Sequence, residues 1–302
     1  MTLLTRTEGA HPTAHPRPAV RTRRSPLLPT AGAVLFLALT ALYMLLPVYW
    51  LLVSATKSQS DLVTTPGLLP AAWHLGDNLT ALFAEQDGIY TRWLLNSLAQ
   101  AGAGATVATL LAAAAGYALA KYRFPGREAV FSVVLGGVLV PATALALPLF
   151  LLFAEVDATN TFWSVFLPGT VSPFGVYLAR IFAEASVPDE VVEAARLDGA
   201  GELRIFATIA LRMMAPALVT VFLFQFVVIW NNFLLPLVML QDQRLYPVTL
   251  GLFTWQSQIS RLPELQTLTV VGALVSVVPI VLTFLLLQRH WRAGLSAGAV
   301  KS

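Results

Sequence analysis

The chain contains no cysteine in its 302 residues, which excludes disulfides and thiolate metal sites and leaves the redox compartment open. It is also short of charge. Only 12% of its residues are Asp, Glu, Lys or Arg, against about a quarter in soluble domains, while 57% are hydrophobic. That balance reads as an integral membrane protein. Ionisable groups are scarcest inside the long apolar runs, which contain no Asp, Glu, His or Lys and one arginine, Arg180, near a run end where it can snorkel. Proton-coupled carriers and most membrane-embedded enzymes need such groups at membrane depth. No GxxxxGK[ST] phosphate loop occurs. The four histidines are His11, His15, His74 and His290. His11 and His15 lack a third ligand, so no metal site is expected there. A chain with this inventory that moves a solute uphill must draw the energy from another chain, and it is not expected to be an enzyme.

What is present is six apolar runs, at about 30–53, 93–120, 129–153, 162–183, 214–238 and 266–288. Each is long enough to cross about 30 Å of hydrocarbon as a helix, which takes roughly 20 residues. The expected fold is therefore an all-α integral membrane protein with six transmembrane helices over residues 30–288. Pro141 and Pro148 interrupt the third run, and Pro168, Gly169 and Pro173 the fourth. The carbonyls freed by such prolines must be satisfied by neighbours, so a packed bundle is expected.

Residues 1–29, rich in Arg, Pro, Thr and His, have too little apolar surface to fold alone and read as a disordered basic tail. The run that follows is too long for a signal peptide and has no clear cleavage site, so it reads as a retained span. Fifteen of the 19 Lys and Arg residues fall on one side of the expected membrane; Lys57, Arg92, Arg244 and Arg261 fall on the other. That asymmetry puts both termini, including a short tail at 289–302, in the cytoplasm. The bases are thus topology signals, and the net charge of +3 does not point to nucleic acid. The first outer loop, 54–92, holds Trp73, Tyr90, Asp61, Asp77, Glu85 and Asp87, with Trp93 just beyond it. Its aromatics either anchor the interface or form a docking surface for an external partner.

Uncharged polar groups do occur within the runs: Asn96, Ser97, Thr143, Gln225, Asn231 and Asn232. Gln225 and Asn232 are seven apart and would share one helix face. Such groups either hydrogen-bond between helices or line a hydrophilic path. Trp230 and Phe226 beside them either stack on a sugar ring or pack.

The remaining charge is concentrated in one loop, 184–213, between the fourth and fifth runs. Ser186 is a candidate N-cap, and Asp189 and Glu190 suit the positive end of a helix. A helix of about ten residues is expected from Pro188 to Leu197, with Val191, Val192 and Ala195 as an apolar patch and Glu193 one turn from Arg196. Asp198-Gly199 should end it, glycine supplying the left-handed turn. A second helix should start near Gly201. The local acids would be repelled by an anionic inner leaflet, which favours a protein partner over lipid.

At these residues the sequence resembles the EAA signature of ABC-importer permeases: EAARLDGAG, then Ile209 and Leu211. Arg212 stands where that signature has proline, and Pro216 follows four residues later. LPVYWLLVSATKS, GYALAKYRFPGR, WNNFLLPLVML, YPVTLGLFTW and GLSAGAVK resemble the carbohydrate branch of the same family, the maltose and glycerol-3-phosphate type, over most of residues 30–302. The resemblance implies a type I ABC-importer permease fold in a bacterial cytoplasmic membrane. It implies that the loop, through Glu193, Ala194, Ala195, Arg196, Asp198 and Gly199, is a coupling helix that docks on a cytoplasmic ATPase. It further implies a second, related permease in a heterodimer, two ATPase subunits that bind ATP-Mg, and an external sugar-binding protein, with no cofactor on this chain. Gln225, Trp230, Asn231 and Asn232, polar and aromatic groups of the fifth run, are the candidates for the translocation path. The alternatives are a permease for a non-sugar solute of the same transporter class, or a stand-alone secondary carrier.

Overall fold

The computed structural model describes residues 27–297, with side chains from Gly32 to Gln288. The expected tail, with His11 and His15, lies outside the described residues apart from its last three positions. The chain divides into two units after Val48. The first holds the start of helix α1, Leu27–Ala55.

From Tyr49 onward, α1 is followed by α2, Gln59–Thr64, α3, Leu75–Ala84, and the long α4, Ile89–Lys121. Then come α5, Arg127–Leu139, α6, Ala142–Glu155, α7, Phe162–Gly169, α8, Pro173–Ser186, and α9, Asp189–Leu197. α10, Glu202–Ile205, runs through a π-helical turn at Phe206–Ala210 into α11, Leu211–Trp230. α12, Leu234–Met239, α13, Val248–Gln258, and α14, Leu265–Ala297, complete the order.

α4 is the helix the others pack on. It has no proline, and Ala101, Gly104, Ala105, Ala108, Ala112, Ala113 and Gly116 repeat at three- and four-residue spacing along its buried face. Small residues in that register let neighbouring backbones approach closely. The tightest point is Gly116, where a Cβ would lie 2.6 Å from the Ala179 Cβ and the Arg180 nitrogen of α8.

The third run, which Pro141 and Pro148 were expected to interrupt, is sharply bent. α5 and α6 meet at a 102° bend. The residue before a proline is pushed out of the helical region, and Val140, before Pro141, has ψ 119°. Among the described residues, five helices are long and apolar enough to cross a membrane, or six if the bent pair counts as one span. The fifth run departs from expectation: α11 stops at Trp230, and α12 begins only at Leu234.

At the end of the bundle away from α9, two sequence readings change. Lys57, expected as an outer-loop base, is 1% exposed, and its Nζ donates to Thr65 Oγ1 at 2.9 Å and to the Pro66 carbonyl at 2.8 Å. The Asn78 side chain donates to the Ala55 and Lys57 carbonyls, closing the C-terminal end of α1. Tyr90 and Trp93 neither anchor an interface nor form a surface. Both are fully buried, with ring centroids 6.3 and 4.7 Å from Trp255. Trp73 does remain exposed.

The α4–α8 approach is directly testable. Gly116→Val is expected to lower stability by about 1–3 kcal/mol through overpacking, read as a fall in thermal midpoint in detergent. Gly102→Ala, on the same helix but with nothing within 4 Å of the added Cβ, is expected to stay within about 0.5 kcal/mol of the parent.

Candidate functional site

The charged loop is built from short-range rules. α8 ends at Ser186, so Ser186 is not the cap that the sequence suggested; Pro188, φ −63° and ψ 142°, occupies that position, and Asp189 opens α9. Asp189 and Glu190 lie in the first turn and Arg196 in the last, each complementing the helix dipole. The helix closes in a Schellman turn. Gly199 N–H donates to the Arg196 carbonyl and Ala200 N–H to the Ala195 carbonyl, both at 3.0 Å, with Gly199 at φ +80°.

One face of α9 is buried and the other is free. Val192 and Ala195 enter a cluster with Tyr117, Ala179, Ala183 and Val187. Val191 stays outside that cluster, so the expected apolar patch is split between the two faces. Glu193, Ala194 and Asp198 are exposed, and Leu197 is 88% exposed, with Leu203 beyond the turn at 80%. Leucines so open to solvent make a surface suited to a partner.

The expected Glu193–Arg196 pair does not form. Arg196 Nε donates instead to Glu202 Oε1 at 2.7 Å, and Tyr122 Oη donates to Glu202 Oε2 at 2.9 Å. Glu193 has no hydrogen bond or ion pair among the described residues. At the other end of α9, Lys121 Nζ donates to Asp189 Oδ1 at 2.7 Å. That bond, with the charges of Lys121, Arg123 and Arg196, holds the Asp189 carboxyl below its ordinary range. A depressed carboxyl keeps the pairing in force at neutral pH and loses it only as pH falls through the lowered value. Burial and the Glu202 bond push the Tyr122 phenol up to about 12. Lys121, Tyr122, Arg123, Asp189, Val192, Glu193 and Arg196 enclose a polar cleft of about 410 Å³. The Arg180 guanidinium forks onto Glu128 at 2.9 and 3.2 Å, reaches Glu184 at 3.1 Å, and lies 4.0 Å over the Phe131 ring.

Each of the four path candidates makes contacts within the chain. Gln225 is buried and donates to the Gly169 carbonyl at 2.9 Å, in the break between α7 and α8. Trp230 is buried and stacks on Phe226 at 5.7 Å. Asn231 caps α11 and is exposed, its amide turned back to the Val227 carbonyl. Asn232 lies past the helix end, and its carbonyl accepts from Thr249 Oγ1. The helix face expected to join Gln225 and Asn232 therefore does not exist. Asn96 and Ser97 bind the backbone of a loop instead: Asn96 donates to the Arg244 and Tyr246 carbonyls, and Ser97 Oγ accepts from Val248 N–H. Among the described residues, no group of three or more His, Asp or Glu is placed to hold a metal ion.

Apolar helices long enough to cross a membrane, with a short charged helix held against the end of α4, define a multi-pass membrane protein. The chain belongs to the family of binding-protein-dependent transport system inner membrane components, whose model matches residues 105–296. It is 34% identical, over 90% of its length and 95% of the relative's, to the arabinooligosaccharides transport system permease protein AraQ of Bacillus subtilis (strain 168). The AraQ of Halalkalibacterium halodurans is 36% identical over 74% of this chain and 79% of the relative. The fold is similar to a bacterial ABC transporter involved in import of the acidic polysaccharide alginate, with a TM-score of 0.76 at 20% identity over 89% of this chain and 98% of that one.

Gly199 carries a local prediction. Its Cβ position is open, so a substitution meets only the backbone penalty of positive φ. Gly199→Val is expected to cost about 1–2 kcal/mol, read as faster amide exchange at Gly199 and Ala200 while amides of α4 keep their protection.

Proposed function

We propose that the chain is one transmembrane subunit of an ATP-driven, binding-protein-dependent importer of oligosaccharides, and that α9 is the helix through which ATPase closure reaches the membrane. The observation that carries this reading is the outer face of α9, where Glu193 has no internal partner beside exposed Ala194 and Leu197. A carboxylate left open next to apolar knobs suits a cleft that supplies cationic donors and covers the apolar side chains. The sugar class rests on what the relatives named above transport. In the full transporter this chain would pair with a second permease, with both termini on the ATPase side and ATP-Mg held by two ATPase subunits. A binding protein would deliver solute to the opposite face.

Closure of the ATPases on ATP would carry α9 with it and tilt the spans in alternating access. No charged group of this chain at membrane depth is required for that cycle, which separates it from an ion-coupled carrier.

Glu193→Lys is expected to abolish ATP-driven uptake of labelled arabinotriose in cells that lack the native gene, with membrane insertion unchanged. Reversing one charge of a covered pair costs about 2–5 kcal/mol, enough to remove the docked state. Normal uptake by this variant would overturn the coupling role. Uptake by the unaltered chain without its ATPase would favour a stand-alone carrier.

A further inference from the structure

α9 is fastened to the end of α4 at both of its own ends. Asp189, its first residue, is bonded to Lys121, the last residue of α4. Lys121 is mostly buried, whereas Asp189 is mostly exposed. Just beyond the far end of α9, Glu202 bridges Arg196 and Tyr122. Lys121 thus holds the start of α9 directly and Tyr122 holds its end through Glu202 of α10, their bonded partners lying 68 and 80 positions further along the chain.

Two routes lead from α9 to the opposite end of the bundle. The covalent one passes through α10, the π-helical turn at Phe206–Ala210, and Pro216 in α11. A π turn loosens the helical ladder, and an interior proline removes one of its bonds, so displacement along this route is absorbed by bending. The other route is α4 itself, 33 residues without proline, or about 50 Å at 1.5 Å per residue. Near its far end, Trp93 Nε1 donates to the Gln243 carbonyl at 2.8 Å, and Asn96 and Ser97 hold Arg244, Tyr246 and Val248. One stiff helix therefore links the charged loop to the 243–248 segment.

We infer that Lys121 and Tyr122 are positioning residues that clasp α9 to α4, so that displacement of α9 moves α4 as a rod and is delivered to the 243–248 segment. The inference rests on the proposed docking of α9 on an ATPase and adds the element that carries the motion. It gives Glu202 a dual role, orienting Arg196 and accepting Tyr122 through its two oxygens. It also accounts for the lack of a Glu193–Arg196 bond, since Arg196 is engaged by the clasp.

Because the chain has no cysteine, a bimane label on a Gln241→Cys variant reports from the far end without competing thiols on this chain. The labelled chain is assembled with its partner permease and ATPases, and its emission is followed on addition of ATP-Mg and vanadate. The parent chain is expected to show an ATP-dependent emission shift. In Lys121→Ala/Tyr122→Phe the shift should fall about fivefold or more, the lower end of coupling between distant sites, while the ATPase still co-purifies. The exchange Lys121→Asp/Asp189→Lys, with Tyr122 intact, should recover most of the shift, a rescue that a packing role does not predict. A full shift in the double variant overturns the clasp, and so does loss of the ATPase from it, because the bonds would then serve assembly. A parent chain that retains no ATPase overturns the docking reading instead.

Discussion

Hydrocarbon offers no hydrogen-bonding partner, so every polar group that enters it must be satisfied from within the protein or moved to an end. In this chain most polarity is moved, and α4 marks where it goes. At one end of α4 stand Trp93, Asn96 and Ser97, bonded to the backbone of the 243–248 segment. At the other stand Lys121 and Tyr122, bonded to carboxylates of the loop. Between them the buried face is mostly Ala and Gly, with Thr109, whose Oγ1 returns to the Ala105 carbonyl of its own helix, and two exceptions, Gln100 and Tyr117, whose Nε2 and Oη are buried without a hydrogen-bond partner among the described residues. Close packing through small residues supplies the contact there.

The breaks in the helices obey the same constraint. Where α7 gives way to α8, Ser172 Oγ accepts from Gly175 N–H, and Gln225 of α11 donates to the Gly169 carbonyl. Gln225 is thus accounted for by a broken neighbour, whatever else it does. Where α1 ends, Asn78 takes two carbonyls and Lys57 takes a hydroxyl and a carbonyl from the segment after α2. A side-chain donor or acceptor is found at both of these breaks.

Much of this was legible in the sequence because it is local. Apolar run length located the candidate spans, and the succession of Asp189, Glu190, Arg196 and Gly199 located α9 and its terminal turn within a residue of where they lie. What was not legible depends on distance along the chain or on chain direction. The bend at Val140–Pro141 turns one apolar run into two helices, and hydropathy carries no angle. The end of α11 at Trp230 came without glycine or proline in WNN, so periodicity ran past it and assigned Asn232 to a helix face that is absent. Tyr90 and Trp93 read as interfacial aromatics because their burial depends on Trp255 and Gly272, far along the chain. Lys121, Tyr122 and Glu202 could be quoted from the sequence, yet nothing at those positions announced that they meet.

That last group explains how the loop can be both firmly held and available. Of the charged residues around α9, Asp189, Arg196 and Glu202 are engaged within the chain, whereas Glu193 is not. An exposed ion pair is worth little by itself, about 0–1 kcal/mol, because water competes for both partners. Here two such pairs act on one rigid nine-residue helix, with Val192 and Ala195 buried beneath it, so each bond is strengthened by the order the others impose. Had Arg196 closed onto Glu193, the outward carboxylate would have been neutralised before any partner arrived. By turning to Glu202, Arg196 ties down the end of α9 and leaves Glu193 exposed and unpaired on the surface beside Leu197. Internal attachment and external availability are therefore divided between the two carboxylates that Arg196 can reach.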